Sequence, residues 1–201
     1  HRISLGIPGM FSVYNALAAT SCCMALGLDL PEIAAALKKA HGVKGRAEVV
    51  PVPADFTVLI DYAHSPDGME NILKAVKGFA KGRVVALFGC GGDRDRTKRP
   101  IMGEVAARLA DFCIVTSDNP RSEDPRAIIE EILPGMKRSK TPMAVIDDRR
   151  AAIVYALENA RPGDVVVLMG KGHETYQEIQ GVKHHLDERE EVANYFAKQE
   201  G

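Results

Sequence analysis

VVALFGCGGDRDRTKR, residues 84–99, sets five uninterrupted apolar residues against a glycine-rich, densely charged loop. Val84–Phe88 is short and combines two β-branched residues with an aromatic, which favours a strand over a helix. Its lack of polar alternation implies burial on both faces, as in a parallel sheet covered by helices. Behind the loop, residues 99–109 read as a helix with Pro100 in its first turn.

The same unit recurs on either side. Phe56, Val58 and Ile60 begin a strand ending at Asp61, and Pro66–Lys77 follows as a helix. Strands are expected at Phe112–Thr116, Met143–Ile146 and Asp164–Met169, with helices at 125–133 and at Asp147–Asn159, whose Asp residues can cap it. A short hairpin around Gly181 and a polar helix over about 188–197 close the chain. Strands alternating with helices predict an α/β, Rossmann-like, mostly parallel sheet with helices on both faces. Ahead of it stand two helical runs, 13–27 and one capped by Asp29 that reaches about Ala40. The Gly42–Gly45 stretch breaks the pattern, so a boundary is expected near residues 41–46. The alternating Ile3, Leu5 and Ile7 read as a strand lacking neighbours, and the chain as a piece of something longer.

Composition excludes several classes. The 201 residues are 46% hydrophobic and carry a formal charge of -1, so no strong field favours nucleic acid or an anionic membrane. Aromatics make up 5% and Trp is absent, which weakens base stacking. Neither a signal peptide nor an 18-residue apolar run is present, and a cytoplasmic location is expected. Cys22, Cys23, Cys90 and Cys113 have poor disulfide and metal spacing and are expected to be reduced and mostly buried.

Ligands of open α/β sheets bind beyond the carboxyl ends of the strands. There the sequence places Asp61 to Asp67, the Asp93 to Arg99 loop, Asp118-Asn119-Pro120-Arg121, and Gly170-Lys171-Gly172-His173-Glu174. Each alone could be a plain turn or a solvated loop; four at strand ends favour one shared site. Arg94 and Arg121 can each grip a carboxylate or phosphate, Asn119 offers donor and acceptor, and Glu174 can hold an ammonium. A ligand bearing carboxylate and amine fits, above all an amino acid with two charged ends. Neither a GxGxxG nor a GxxxxGK[ST] pattern occurs, so no nucleotide phosphate site is complete.

In order, DYAHSPDGMENIL (61–73), FGCGGDRDRTKRPIMG (88–103), TSDNPRSEDPRAII (116–129), GKGHETYQ (170–177) and LDERE (186–190) resemble the C-terminal domain of the Mur ligase family, over nearly the whole chain. The DNPR form resembles its diaminopimelate-adding branch. The resemblance implies that residues 1–45 are the tail of the central, ATP-binding domain and 46–201 the amino-acid-binding domain. It implies ATP-dependent addition of meso-2,6-diaminopimelate to UDP-N-acetylmuramoyl-L-alanyl-D-glutamate through an acyl phosphate, in a monomer. The P-loop, the magnesium ligands and the UDP-sugar contacts would lie in upstream domains, leaving no catalytic or metal residue here and an isolated chain without activity. Substrate-binding residues carried over are Arg94, Asn119 and Arg121 around a carboxylate, with Glu174 and the Gly170 carbonyl near the distal amine. Nucleotide-side residues are Asn15, Arg46, Asp61 and His64. The family's entry helix has two Asn four apart; here Ser12 stands three before Asn15, so only Asn15 is carried over. Alternatives are a non-catalytic amino-acid-binding module, a related Mur- or folate-type ligase with another acceptor, and a nicotinamide-dependent reductase, which the absent GxGxxG disfavours.

Overall fold

The computed structural model describes residues 2–5, 7, 10–40 and 42–199. Residues 2–5 form no strand, contrary to the reading of the opening alternation; part of that run lies outside the described residues. Helix α1 (Met10–Ala25) and helix α2 (Leu30–Lys39) come first. Asp29 sits at the α2 N-cap in an extended conformation, but its side chain accepts no capping bond. α1 is apolar nearly all round, and Met10, Val13, Tyr14, Leu17 and Met24 remain exposed.

The sheet contains β1 (Glu48–Val50), β2 (Thr57–Asp61), β3 (Val84–Phe88), β4 (Phe112–Val115), β5 (Met143–Val145) and β6 (Val165–Met169). Their order is β1-β2-β6-β3-β4-β5, with β1 antiparallel to β2 and every other pairing parallel. β6 thus inserts between β2 and β3, and the ends of β2, β3, β4 and β6 lie side by side. β1 was not anticipated: it is three residues long and abuts Pro51 and Pro53, where turn chemistry dominates the pattern.

Alternation along the strands feeds two cores. Leu59, Ala86, Phe88, Val115 and Val167 face α3 (Pro66–Lys77), α4 (Lys98–Leu109) and α5 (Pro125–Met136). Val58, Ile60, Leu87, Ile114 and Leu168 face α6 (Arg149–Glu158) and α7 (Glu188–Ala197). Burying each of these side chains larger than alanine contributes about 1.5–3 kcal/mol, and this two-sided burial is why β3 and β6 carry no polar residue. α5 continues through Pro134 to Met136, beyond the expected end, because Ile132 and Met136 are buried on both sides of the proline. The sixth helix begins at Arg149, with Asp148 capping the Ala151 amide at 2.8 Å. The small hairpin pairs β7 (Tyr176–Ile179) with β8 (Val182–His185).

Cys90 and Cys113 are buried, and burial pushes both thiols up to about 12. Cys22 is exposed, contrary to expectation, because it lies on the outward side of α1.

Candidate functional site

Backbone contact between loops builds the rim, and glycine permits it. Gly92 donates its N–H to the Asn119 carbonyl at 2.9 Å, and an added Cβ at Gly92 would lie 1.9 Å from Pro120 O. The glycines after β3 therefore let that loop lie on the DNPR turn. Beneath it, the fully buried Arg99 binds Glu123 and Glu131, at 2.7 Å each. The Arg99 guanidinium draws the Glu123 carboxyl down to about 2, opposed by burial and aided by the Asp93 amide.

Asp93 and Arg121 both hold positive φ, 54° and 51°, without being glycine. Such backbone costs about 1–2 kcal/mol per residue and tends to collect at functional sites. Asp93 is held there by Ser122, whose hydroxyl and amide both donate to its carboxylate. Arg121 pairs its backbone with Glu178 and Gln180 of the hairpin segment. Its Nη1 donates to Gly92 O at 2.8 Å and its Nε lies 3.6 Å from Glu178 Oε2.

Next to it stands a cluster of buried charges. Lys171 is fully buried, and its Nζ reaches Asn119 Oδ1 at 2.8 Å, Glu174 Oε2 at 3.2 Å and Asp118 Oδ1 at 3.5 Å. Asn119 Nδ2 donates to the same Glu174 Oε2 at 2.8 Å, while Asn119 Oδ1 also accepts from the Glu178 amide at 2.9 Å. Gly170 has a φ of 115°, and an added Cβ there would lie 2.6 Å from Asp118 Oδ2. Arg94 is exposed, and among the described residues its one hydrogen bond is to the neighbouring Asp93 carbonyl. It sits with Arg121 around Gly91, where an added Cβ would meet Arg121 Nη1 at 2.9 Å and Arg94 Cγ at 3.8 Å. Asn119, Arg121, Gly170 and Glu174 thus share one cluster, with Arg94 at its edge.

The second group lies on the other side of the β2 end. Asn15, Arg46 and Asp61 line one cavity of about 820 Å³, together with Tyr14, Asn71 and Lys74. That volume lies within the range of small-molecule sites, about 300–1,000 Å³. Asp61 accepts from the Ala47 and Ala63 amides at 2.7 and 2.8 Å. Burial pushes its carboxyl up, against the pull of those amides and Arg46. His64 does not line the cavity; it is exposed, its Nδ1 lies 2.8 Å from Tyr62 O, and its ring packs edge-on against Tyr62 at 4.7 Å. Tyr62 also carries Arg46 over its ring at 5.0 Å and meets His173 at 5.1 Å. The two groups are therefore joined through Tyr62 and through Gly45, where an added Cβ would lie 2.2 Å from the His173 amide nitrogen.

The sequence reading placed Lys171 and Tyr62 in the strand-end loops but gave neither a role. The available signal for Lys171 was its position between two glycines at a strand end. Among the described residues no group of three or more His, Cys, Asp or Glu could hold a metal ion.

The profile of the Mur ligase, glutamate ligase domain family matches residues 45–172. The chain belongs to the Mur ligase family. Among curated Mur ligases it is 55% identical, over 99% of its length, to UDP-N-acetylmuramoyl-L-alanyl-D-glutamate--2,6-diaminopimelate ligase of Caldanaerobacter subterraneus subsp. tengcongensis. It is 54% identical over 95% of its length to the enzyme of that name from Syntrophomonas wolfei. The match covers 41% and 39% of those two proteins, so the chain spans about two fifths of the curated relatives it matches. A solved structure of a ligase of the same name superposes with a TM-score of 0.79 at 41% identity, covering 99% of this chain and 41% of that one. The UDP-N-acetylmuramate-alanine ligase of Thermotoga maritima shares the Mur ligase fold, with a TM-score of 0.69 at 20% identity over 98% of this chain and 40% of that one.

Proposed function

We propose that this chain is the amino-acid-binding portion of an ATP-dependent ligase that joins meso-2,6-diaminopimelate to UDP-N-acetylmuramoyl-L-alanyl-D-glutamate. The observation that carries the reading is a guanidinium, Arg121, linked through Glu178 and Asn119 to a net-negative cluster of Asp118, Lys171 and Glu174. One end of the site suits a carboxylate and the other an ammonium. The 54–55% identity to two diaminopimelate ligases supports the same ligand.

Residues 46–201 form the amino-acid domain in this proposal, and 1–45 the tail of the central domain. The exposed apolar side of α1 supports the division, since a face of that kind is ordinarily covered. The cavity beside Asn15, Arg46 and Asp61 would take the nucleoside of ATP, with His64 at its margin. In the whole enzyme ATP phosphorylates the γ-carboxylate of the glutamyl residue, releasing ADP. The amine of diaminopimelate then attacks the acyl phosphate, and the C–O bond to phosphate breaks as the amide forms. Magnesium, held by the upstream domains, would offset phosphate charge. What this chain does is hold the amine-bearing substrate against that acyl phosphate. The whole enzyme would work in the cytoplasm as a monomer, and among the described residues no helix is long and apolar enough to cross a membrane.

Steady-state kinetics of the full-length enzyme test this division of labour. Asp61→Ala is expected to raise KM for ATP at least tenfold and leave KM for diaminopimelate within twofold. A rise confined to diaminopimelate refutes the nucleotide assignment, and failure of the wild type to use diaminopimelate refutes the function.

A further inference from the structure

We propose that Lys171 is a positioning residue that fixes both the geometry and the charge of the amino-acid pocket, so that it accepts a single ammonium. The inference rests on reading this cluster as the diaminopimelate pocket. Lys171 is fully buried yet carries an ammonium group, which is costly without partners. Lys171 has three polar partners, Asn119 Oδ1, Glu174 Oε2 and Asp118 Oδ1, and its Nζ also lies 5.7 Å from the Tyr176 ring centroid.

The geometry is asymmetric. Glu174 Oε2 accepts from both Lys171 and Asn119, whereas Oε1 makes no hydrogen bond among the described residues. Asn119 Oδ1 is occupied twice, by Lys171 and by the Glu178 amide, and Nδ2 spends one hydrogen on Glu174. Lys171 and the Glu178 amide can only donate, so together they fix which end of the Asn119 amide is oxygen. Asn119 is left with one N–H for a ligand carboxylate, and Glu174 with one oxygen for an ammonium.

The charge follows from the same three residues. Asp118 and Glu174 contribute two negative charges and Lys171 one positive, leaving a net charge of -1. One ligand ammonium neutralises the cluster. Without Lys171, two carboxylates would face each other across a buried amide, and Glu174 Oε2 would lose one of the two donors that hold it.

Three variants of the full-length enzyme separate geometry from charge and both from folding. Lys171→Met is expected to raise KM for meso-diaminopimelate at least tenfold, with KM for ATP and kcat within about twofold. Lys171→Gln, which keeps a donor but not the charge, is expected to fall between Met and wild type. Adding Asp118→Asn to Lys171→Met restores the net charge of -1 and is expected to recover at least threefold of the lost KM. A wild type with no saturable use of diaminopimelate would refute the reading of the pocket itself. Normal use by the wild type with an unchanged KM in Lys171→Met would refute only the role of Lys171. Equal rises in both KM values, or loss of folding in all three variants, would assign Lys171 to the fold alone and overturn the proposal.

Discussion

Replacing Arg121 tests the ligand assignment most directly, and the structure sets the size of the effect. A fully dehydrated Arg whose partner is removed costs roughly 3–5 kcal/mol. Arg121 is not in that position: its side chain is 22% exposed, Nη1 donates to Gly92 O, and Glu178 lies 3.6 Å from Nε. A ligand without the distal carboxylate leaves this guanidinium partly satisfied. The loss is then that of a charge-assisted hydrogen bond, about 1.5–3 kcal/mol, or about 10- to 160-fold in kcat/KM. Discrimination against Lys should fall in that range, and so should the loss on Arg121→Ala with diaminopimelate as substrate. Arg121→Lys should recover little, since a point charge cannot reproduce the fork. Arg121→Gly supplies a control. It removes the same side chain but relaxes a φ of 51°, so it should be about 1 kcal/mol more stable than Arg121→Ala and equally defective. The assay is kcat/KM for both amino acids in the full-length enzyme, with thermal melts of each variant. Equal use of Lys and diaminopimelate by the wild type, or full activity and selectivity in Arg121→Ala, would refute the reasoning.

Acid should loosen the loop after β3. The Glu123 carboxyl is drawn down to about 2 by Arg99, so its contribution is complete above its ordinary value near 4.5 and lost as pH falls toward 2; urea melts at pH 7 and pH 3 should show Glu123→Gln less stable than wild type by roughly 1 kcal/mol at the higher pH and by about half that at the lower. A gap that widens in acid would reverse the sign of this argument. Arg149 and Glu188 are both fully buried and 2.7 Å apart, so Arg149→Met alone should cost about 3–5 kcal/mol and Arg149→Met with Glu188→Leu much less; additive losses in denaturant melts would contradict this. Gly45→Ala meets both a φ of 73° and the His173 amide nitrogen 2.2 Å from the new Cβ, and should raise KM for ATP and for diaminopimelate together; a rise in one alone would show that the two groups are not joined there.

Much of the sheet was legible because its strands are buried on both faces. VVALF and VVVLM leave no polar residue to confuse the period, and Pro66, Asp148 and Asp187 mark helix starts through local chemistry. Strand order was not legible. Nothing local in VVVLM says that β6 enters between β2 and β3; that is decided by which apolar faces remain uncovered after the other strands pair. β1 escaped for a related reason: its partner is β2, and three residues beside two prolines carry too little pattern to announce a strand.

The site was legible at the level of loops, because unusual polar residues stood at strand ends. Its internal wiring was not, and α7 shows why. LDERE reads as a solvated polar start to a surface helix, yet Glu188 is fully buried against Arg149, 39 positions away. Arg149 in turn donates to Ser117 O at 3.1 Å and Met169 O at 2.9 Å, the carbonyls just before Asp118 and Gly170. The next residue, Arg189, donates to Gly172 O at 2.9 Å and to Glu48, whose carboxylate accepts the Gly45 amide. Two successive residues of a polar helix therefore brace both loops of the amino-acid cluster and the junction with the nucleotide-side cavity. Charge that looks solvent-facing in sequence can be committed to holding loops in place, and the binding side chains above are fixed only as well as those braces hold.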